Sequence, residues 1–346
     1  LKKFSDIAEV LWSESSKFVL DTGNIDFGLK SIPNNTDSLS RQKHFLRETV
    51  RSLKIKEFEN RYIKTRFDLP YLEEIADDYD FFVVGSDQVW QPKWIATKYF
   101  LNFVPRKKRI AYAASIAAPE IPAQLKNFFK KGISSFDYIS VREQKSVEII
   151  KELTGQDALL VVDPTMTLTP KEWLEIAQKP SWLNEKYERG YILTYYLRNE
   201  PPPFVKNLSK YLNLPLINLL DWDNYWHYII SPEEFLYLFS KASLIFTNSF
   251  HGIIFSILFR RPFMNAEVDQ AKHMSTRIIG LLKMFGLEDK IMSPEKTYST
   301  DEFFEIDYSI RDRVLPLERG KAFKFLSSAF GVLPRFVTWC REGGKL

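Results

Sequence analysis

From Tyr71 onward the chain alternates short apolar runs with amphipathic segments. Phe81–Val84, Ile110–Ala114, Tyr138–Val141 and Leu159–Val162 read as strands, with helices over Ala123–Lys131 and Glu143–Leu153 between them. Asp163-Pro164-Thr165 closes this series, and the largely polar stretch Trp173–Tyr187, broken by Pro180, reads as a linker. A second rhythm follows, with strands at Tyr191–Leu197, Leu216–Leu220, Leu244–Phe246 and Pro262–Asn265 and helices near Phe204–Leu212 and Glu233–Ser240. Strand alternating with helix is the pattern of a parallel sheet, and two such series predict two facing α/β domains, residues 1–187 and 188–346. The segment from Leu1 to about Tyr62 reads as charged and helical. The tail Val314–Cys340 reads as a broken helix expected to pack back on the first domain.

Ligands of open parallel sheets sit beyond the carboxyl ends of strands, so the turns there are where chemistry is expected. Gly85-Ser86-Asp87-Gln88, Ser115, Arg142-Glu143, Asp163-Pro164-Thr165 and Asn248-Ser249-Phe250-His251 fill these turns. Thr247-Asn248-Ser249-Phe250-His251-Gly252 is the most informative, because it reads as strand, polar turn and helix start. The first backbone N–H groups of such a helix face an incoming phosphate or carboxylate. His251 at that point suits proton transfer near neutral pH, or a structural hydrogen bond to nearby backbone. Arg142 offers a planar fork to a carboxylate or phosphate, or an ion pair with Glu143 or Asp163. Arg277, at the head of an amphipathic helix, reaches a phosphate or lies on the surface. Trp90 and Trp94 stack on a sugar or pack in the core, and Trp222, Tyr225, Trp226 and Tyr228 offer a second aromatic platform with the same two readings.

Composition narrows the classes. The 346 residues exceed one comfortable core, and 45% apolar with 15% aromatic content means well-filled interiors. A net charge of only +4, with basic residues spread along the chain, argues against a nucleic-acid partner. One cysteine, Cys340, excludes an intramolecular disulfide, and four separated histidines give no metal-ligand spacing, so no metal is expected. No apolar span reaches the roughly 18–20 residues of a transmembrane helix. G-x-G-x-x-G, Walker and nucleophile-elbow motifs do not occur. The expected location is cytoplasmic, free or at the inner face of the membrane.

Five segments taken in order, DFFVVGSDQVWQP (80–92), RIAYAASI (109–116), ISVREQKSV (139–147), VVDPTMTL (161–168), and SPEEFL with LIFTNSFHGIIFSILFRRPF (231–263), resemble the motifs of polysaccharide pyruvyl transferases. The resemblance implies two Rossmann-like domains facing across a cleft, in a GT-B-like arrangement. It also implies phosphoenolpyruvate as donor substrate, no separate cofactor, and a saccharide acceptor that is lipid-linked or nucleotide-linked. The product would be a cyclic pyruvate ketal on a surface polysaccharide or its precursor. On this reading His251 and Arg142 are catalytic. Gly85, Ser86, Asp87, Gln88, Trp90, Ser115, Asn248, Ser249, Phe250 and Arg277 bind substrate. Many relatives carry an arginine two residues before the histidine, where this chain has Ser249, and Arg277 or Arg261 is expected to replace it. Relatives also open with a strand and an N-Y-G-type turn, which the first residues here do not show, so the first sheet is read as lacking that strand. The competing readings are a GT-B-type glycosyltransferase using a nucleotide sugar and a non-catalytic saccharide-binding relative.

Overall fold

A computed structural model describes residues 9–13, 38–69, 72–197, 200–266, 276–293 and 295–331. The expected α/β rhythm is present. One four-stranded parallel sheet has the order β3-β4-β5-β6, from Phe82–Val84 (β3), Arg109–Ala114 (β4), Tyr138–Val141 (β5) and Leu159–Leu160 (β6). A second has the order β10-β9-β7-β8, from Ile192–Tyr195 (β7), Leu216–Leu219 (β8), Leu244–Thr247 (β9) and Phe263–Met264 (β10). These strands read as near-continuous apolar runs because helices cover them; all four residues of β9 are buried.

The amino-terminal region departs from the sequence reading. A strand, Glu9–Ser13 (β1), pairs in parallel with Lys64–Leu69 (β2), and helix α1, Ser38–Tyr62, lies between them in sequence. The sequence reads as helix where β1 lies and predicts no strand at β2. Each is short, and β2 carries Lys64, Arg66 and Asp68, so no apolar run marks it. The pair forms its own two-stranded sheet apart from β3–β6.

Each sheet has its own core. Trp90, Phe100, Phe129 and Phe136 are fully buried beside β3–β5, where ring pairs meet edge-on or tilted. Helices α2 (Lys126–Ile133) and α3 (Gln144–Thr154) cover that sheet with Phe129, Ile133, Ile149 and Ile150. Around β7–β9 the core is formed by helices α4 (Pro203–Tyr211), α5 (Pro232–Lys241) and α6 (Phe250–Leu258), and α7 (Thr276–Phe285) adds Ile278, Leu281, Leu282 and Phe285 to it. Helix α5 starts as its sequence predicts: Ser231 Oγ accepts the Glu234 amide, and the Glu234 carboxylate accepts the Ser231 amide.

Helix α8, Ser309–Ala329, runs unbroken through Pro316, where the sequence suggests breaks. Its Ala322 and Leu326 pack against Tyr112, Ala113 and Val161 of the first sheet. Arg319 fixes it there by donating to the carbonyls of Met166 and Leu168 at 2.7 and 2.6 Å. Cys340 and His273 lie outside the described residues.

Candidate active site

Arg142 is the first residue after β5, and the parallel register directs it beyond the sheet's carboxyl edge. The two ion-pair partners the sequence leaves open are now separated. Arg142 Nη1 donates to Asp163 Oδ2 at 2.6 Å, and Nη2 donates to Asp87 Oδ1. Glu143 turns away, where its carboxylate accepts the hydroxyls of Ser115 and Ser146. Asp163 is fixed in turn by the amide and hydroxyl of Thr165, at 3.0 and 2.6 Å. Burial opposes the charge on Arg142, but Asp163, Asp87 and Glu143 outweigh it and raise its pKa. Burial would likewise protonate Asp163, yet Arg142, His251 and Thr165 hold its carboxyl well below the usual carboxylate range. Arg142 Nε is buried with no hydrogen-bond partner.

The second sheet supplies the other half. Thr247 ends β9 and donates its hydroxyl to Tyr195 O at 2.6 Å, while accepting the Ser249 amide at 3.0 Å. Ser249 caps α6, its Oγ accepting the Gly252 amide at 3.2 Å. This accounts for a small hydroxyl residue where arginine is expected. Gly252 is required by closeness: a Cβ there would lie 2.6 Å from Thr247 Oγ1. Asn248 is spent on structure, its Oδ1 accepting the Leu197 amide at 3.2 Å. The chain thus delivers His251 to the first turn of α6, with Nε2 3.7 Å from Asp163 Oδ2 and the side chain 36% exposed.

Phe250 joins the two halves. The guanidinium carbon of Arg142 lies 4.9 Å from its ring centroid and that of Arg277 lies 5.3 Å away. Arg277, at the head of α7, also reaches Asp87 Oδ1 at 3.6 Å. Its pKa is lowered, first by burial and then by the charge of Arg142, against the pull of Glu143, Asp87 and Asp163. Arg261, the other residue expected to replace the arginine, has its Nε buried without a partner, and its carbonyl accepts the Tyr308 hydroxyl at 2.7 Å.

The turn after β3 brings Asp87 to both arginines. Gly85 has φ +150°, and a Cβ there would come within 1.9 Å of the Tyr112 carbonyl oxygen. Gln88 has φ +35° and its carbonyl accepts Trp94 Nε1 at 3.1 Å. Ser86 sits between Gly85 and Asp87, half-buried. Trp90 does not face this turn. Its ring is fully buried against Phe100 and Phe136, and its Nε1 donates to Tyr99 O at 3.0 Å. It therefore offers no open face to a sugar. Ser115 is likewise fully buried and committed to Glu143. The sequence reading gave Asp163 no role beyond its turn and the pairing with Arg142; its place between Arg142 and His251 could be found only through the meeting of two distant turns.

Strand-end turns of both parallel sheets thus meet around a buried arginine and aspartate, an aromatic ring and a half-buried imidazole, which defines an α/β protein with a polar centre where its two sheets' turns converge. The chain belongs to the polysaccharide pyruvyl transferase family, whose model matches residues 15–269. A comparison with curated proteins finds no match. Family membership assigns polysaccharide pyruvyl transfer as the general activity and a polysaccharide as acceptor, and does not favour a nucleotide-sugar glycosyltransferase. Among the described residues no helix is long and apolar enough to cross a membrane, and no group of three or more His, Cys, Asp or Glu side chains could hold a metal.

Proposed function

We propose that the chain moves the pyruvyl group of phosphoenolpyruvate onto two hydroxyls of one sugar, giving a cyclic ketal and releasing phosphate. The observation that carries this reading is the convergence of Arg142 and Arg277 on the Phe250 ring beside His251. Phosphoenolpyruvate carries a carboxylate and a phosphate on a three-carbon frame, and two guanidiniums beside a helix start suit two linked anions. Asp87 Oδ1, now between the arginines, marks where a donor oxygen would compete for them.

In this mechanism His251 protonates the donor methylene carbon, and the adjacent carbon takes oxocarbenium character. One sugar hydroxyl adds to that carbon and returns a proton to His251. The carbon–oxygen bond to phosphate then breaks, the second hydroxyl closes the ring, and its proton leaves with phosphate. Arg142 and Arg277 stabilise charge in place, which is commonly the largest contribution to such catalysis. Asp163 stands beside the imidazole Nε2 and holds Arg142 at the same time. Residues 1–187 and 188–346 would form the two halves, facing each other across this site as in GT-B proteins, and the protein would act in the cytoplasm or at the inner membrane face on a lipid-linked or nucleotide-linked saccharide.

Calorimetric titration with phosphoenolpyruvate tests the reading. Saturable binding is expected, with Arg142→Ala abolishing it. His251→Ala should keep binding while turnover falls about 10²–10⁴-fold, the usual span of general acid–base catalysis. Binding of nucleoside diphosphates in place of phosphoenolpyruvate would indicate a glycosyltransferase, and binding of neither would indicate a non-catalytic saccharide-binding relative.

A further inference from the structure

A cavity of about 290 Å³ lies away from Arg142, between α1 and the carboxyl ends of β7 and β8. Its volume is at the low end of the roughly 300–1,000 Å³ of ligand sites. Tyr195 and Leu219, the last residues of β7 and β8, form its floor, in the position where parallel sheets receive ligands. Phe58 of α1, Trp173 and Tyr228 add aromatic walls. Trp222 and Tyr228, part of the aromatic platform expected from sequence, turn inward, Tyr228 donating its hydroxyl to Glu48. Tyr225 and Trp226 face outward.

Two features tie this cavity to the candidate active site. Phe255 lines it from α6, four residues beyond His251 and so one helical turn, about 6 Å, along the same face. Trp173 meets Phe255 at a ring separation of 5.3 Å and donates Nε1 to Thr165 O, the residue whose amide and hydroxyl hold Asp163. A third feature points to a ligand. His227 lines the cavity, is 6% exposed, and keeps Nδ1 buried without a hydrogen-bond partner.

We propose that this cavity is a saccharide subsite, which holds the acceptor sugar next to the one that receives pyruvate. Aromatic walls take the C–H faces of a sugar ring, and His227 Nδ1 takes one of its hydroxyls. Burial pushes the His227 pKa down to about 4, so near neutral pH its imidazole is uncharged and pairs with a hydroxyl rather than an anion. A hydrocarbon chain would leave Nδ1 unpaired. A nucleoside diphosphate would find Arg51 as the only permanent cation among the described lining residues, and Glu48 is 3.9 Å from it. The inference rests on the reading of the acceptor as a saccharide, and it adds a second sugar to the recognised substrate.

Saturation-transfer NMR with methyl glycosides of common hexoses and N-acetylhexosamines, and with disaccharides built from them, tests the subsite without turnover. At least one of these is expected to bind. Hydrogen–deuterium exchange of the wild-type protein with that sugar should protect residues 51–58 and 225–236. Ile55→Trp, which fills the cavity, should weaken the sugar at least tenfold and leave phosphoenolpyruvate affinity unchanged, the latter also reporting that the variant folds. No binding by any of these sugars, protection confined to other segments, or displacement of the sugar by uridine diphosphate would overturn the subsite. Loss of phosphoenolpyruvate binding with sugar binding intact would instead overturn the donor assignment.

Discussion

Arg142 and Asp163 form a buried ion pair, Nη1 to Oδ2 at 2.6 Å with both side chains essentially inaccessible, at the point where the turn after β9 arrives from the other sheet. Leaving one member of such a pair alone in the interior costs about 3–5 kcal/mol. Asp163→Ala is therefore expected to lower unfolding stability by up to that order, since Asp87 still accepts Arg142 Nη2, and Asp163→Asn, which retains an acceptor for Nη1, by less. Chemical denaturation checks the order, and equal losses would show that the carboxylate charge contributes little.

The same pair sets an acid limit. Asp163 is held below its unfolded value of about 3.9, so its contribution is complete above that pH. It is lost as pH falls further, towards the folded pKa. Thermal unfolding of wild type and Asp163→Asn should converge as pH drops below about 4. Parallel curves would contradict the depressed pKa.

His227 acts in the same direction over a higher pH range. Its folded pKa of about 4 lies below the unfolded value of about 6.5, so between these pH values the unfolded chain binds the extra proton. Stability should then decline as pH falls from about 6.5 to about 4, by about 3 kcal/mol at most. His227→Gln is expected to flatten that slope in denaturation curves; an unchanged slope would place the titrating group elsewhere.

Arg277, rather than Arg261, is expected to supply the second cation for the donor, since it shares Phe250 and Asp87 with Arg142. Loss of a charge-assisted hydrogen bond costs about 1.5–3 kcal/mol, so Arg277→Ala should weaken phosphoenolpyruvate binding by about tenfold or more. Arg261→Ala should leave it within about a factor of two on the same scale. Calorimetry on the two variants decides between them, and the reverse order would move the role to Arg261.

Gly85→Ala should be poorly tolerated. The new Cβ would meet the Tyr112 carbonyl oxygen at 1.9 Å, and φ of +150° disfavours any side chain. Backbone strain alone contributes about 1–3 kcal/mol, and relief of the clash would displace the turn that presents Asp87. A lowered Tm is the expected result; an unchanged Tm would mean that the turn adjusts freely.

The sequence by itself determined the local frame. Apolar runs gave eight strands of two parallel sheets, and Ser231-Pro232-Glu233-Glu234 gave a capped helix, because periodicity and capping are short-range properties carried by neighbouring residues. Strand-end turns also revealed Arg142, Asp87, Phe250 and His251 as candidates. The short strands Glu9–Ser13 and Lys64–Leu69 were missed because their pairing partner lies far along the chain and only the ladder defines them. Trp90 was ambiguous for a related reason: an indole has the same local signature in a core and on a sugar platform. Only the tertiary structure decided that Arg142 pairs with Asp163 and Asp87 rather than Glu143. It also placed Arg277 against the same phenyl ring as Arg142 and formed a cavity against α1. Those relationships join residues tens to hundreds of positions apart, so they depend on how the sheets and helices pack and leave no periodic trace in the chain.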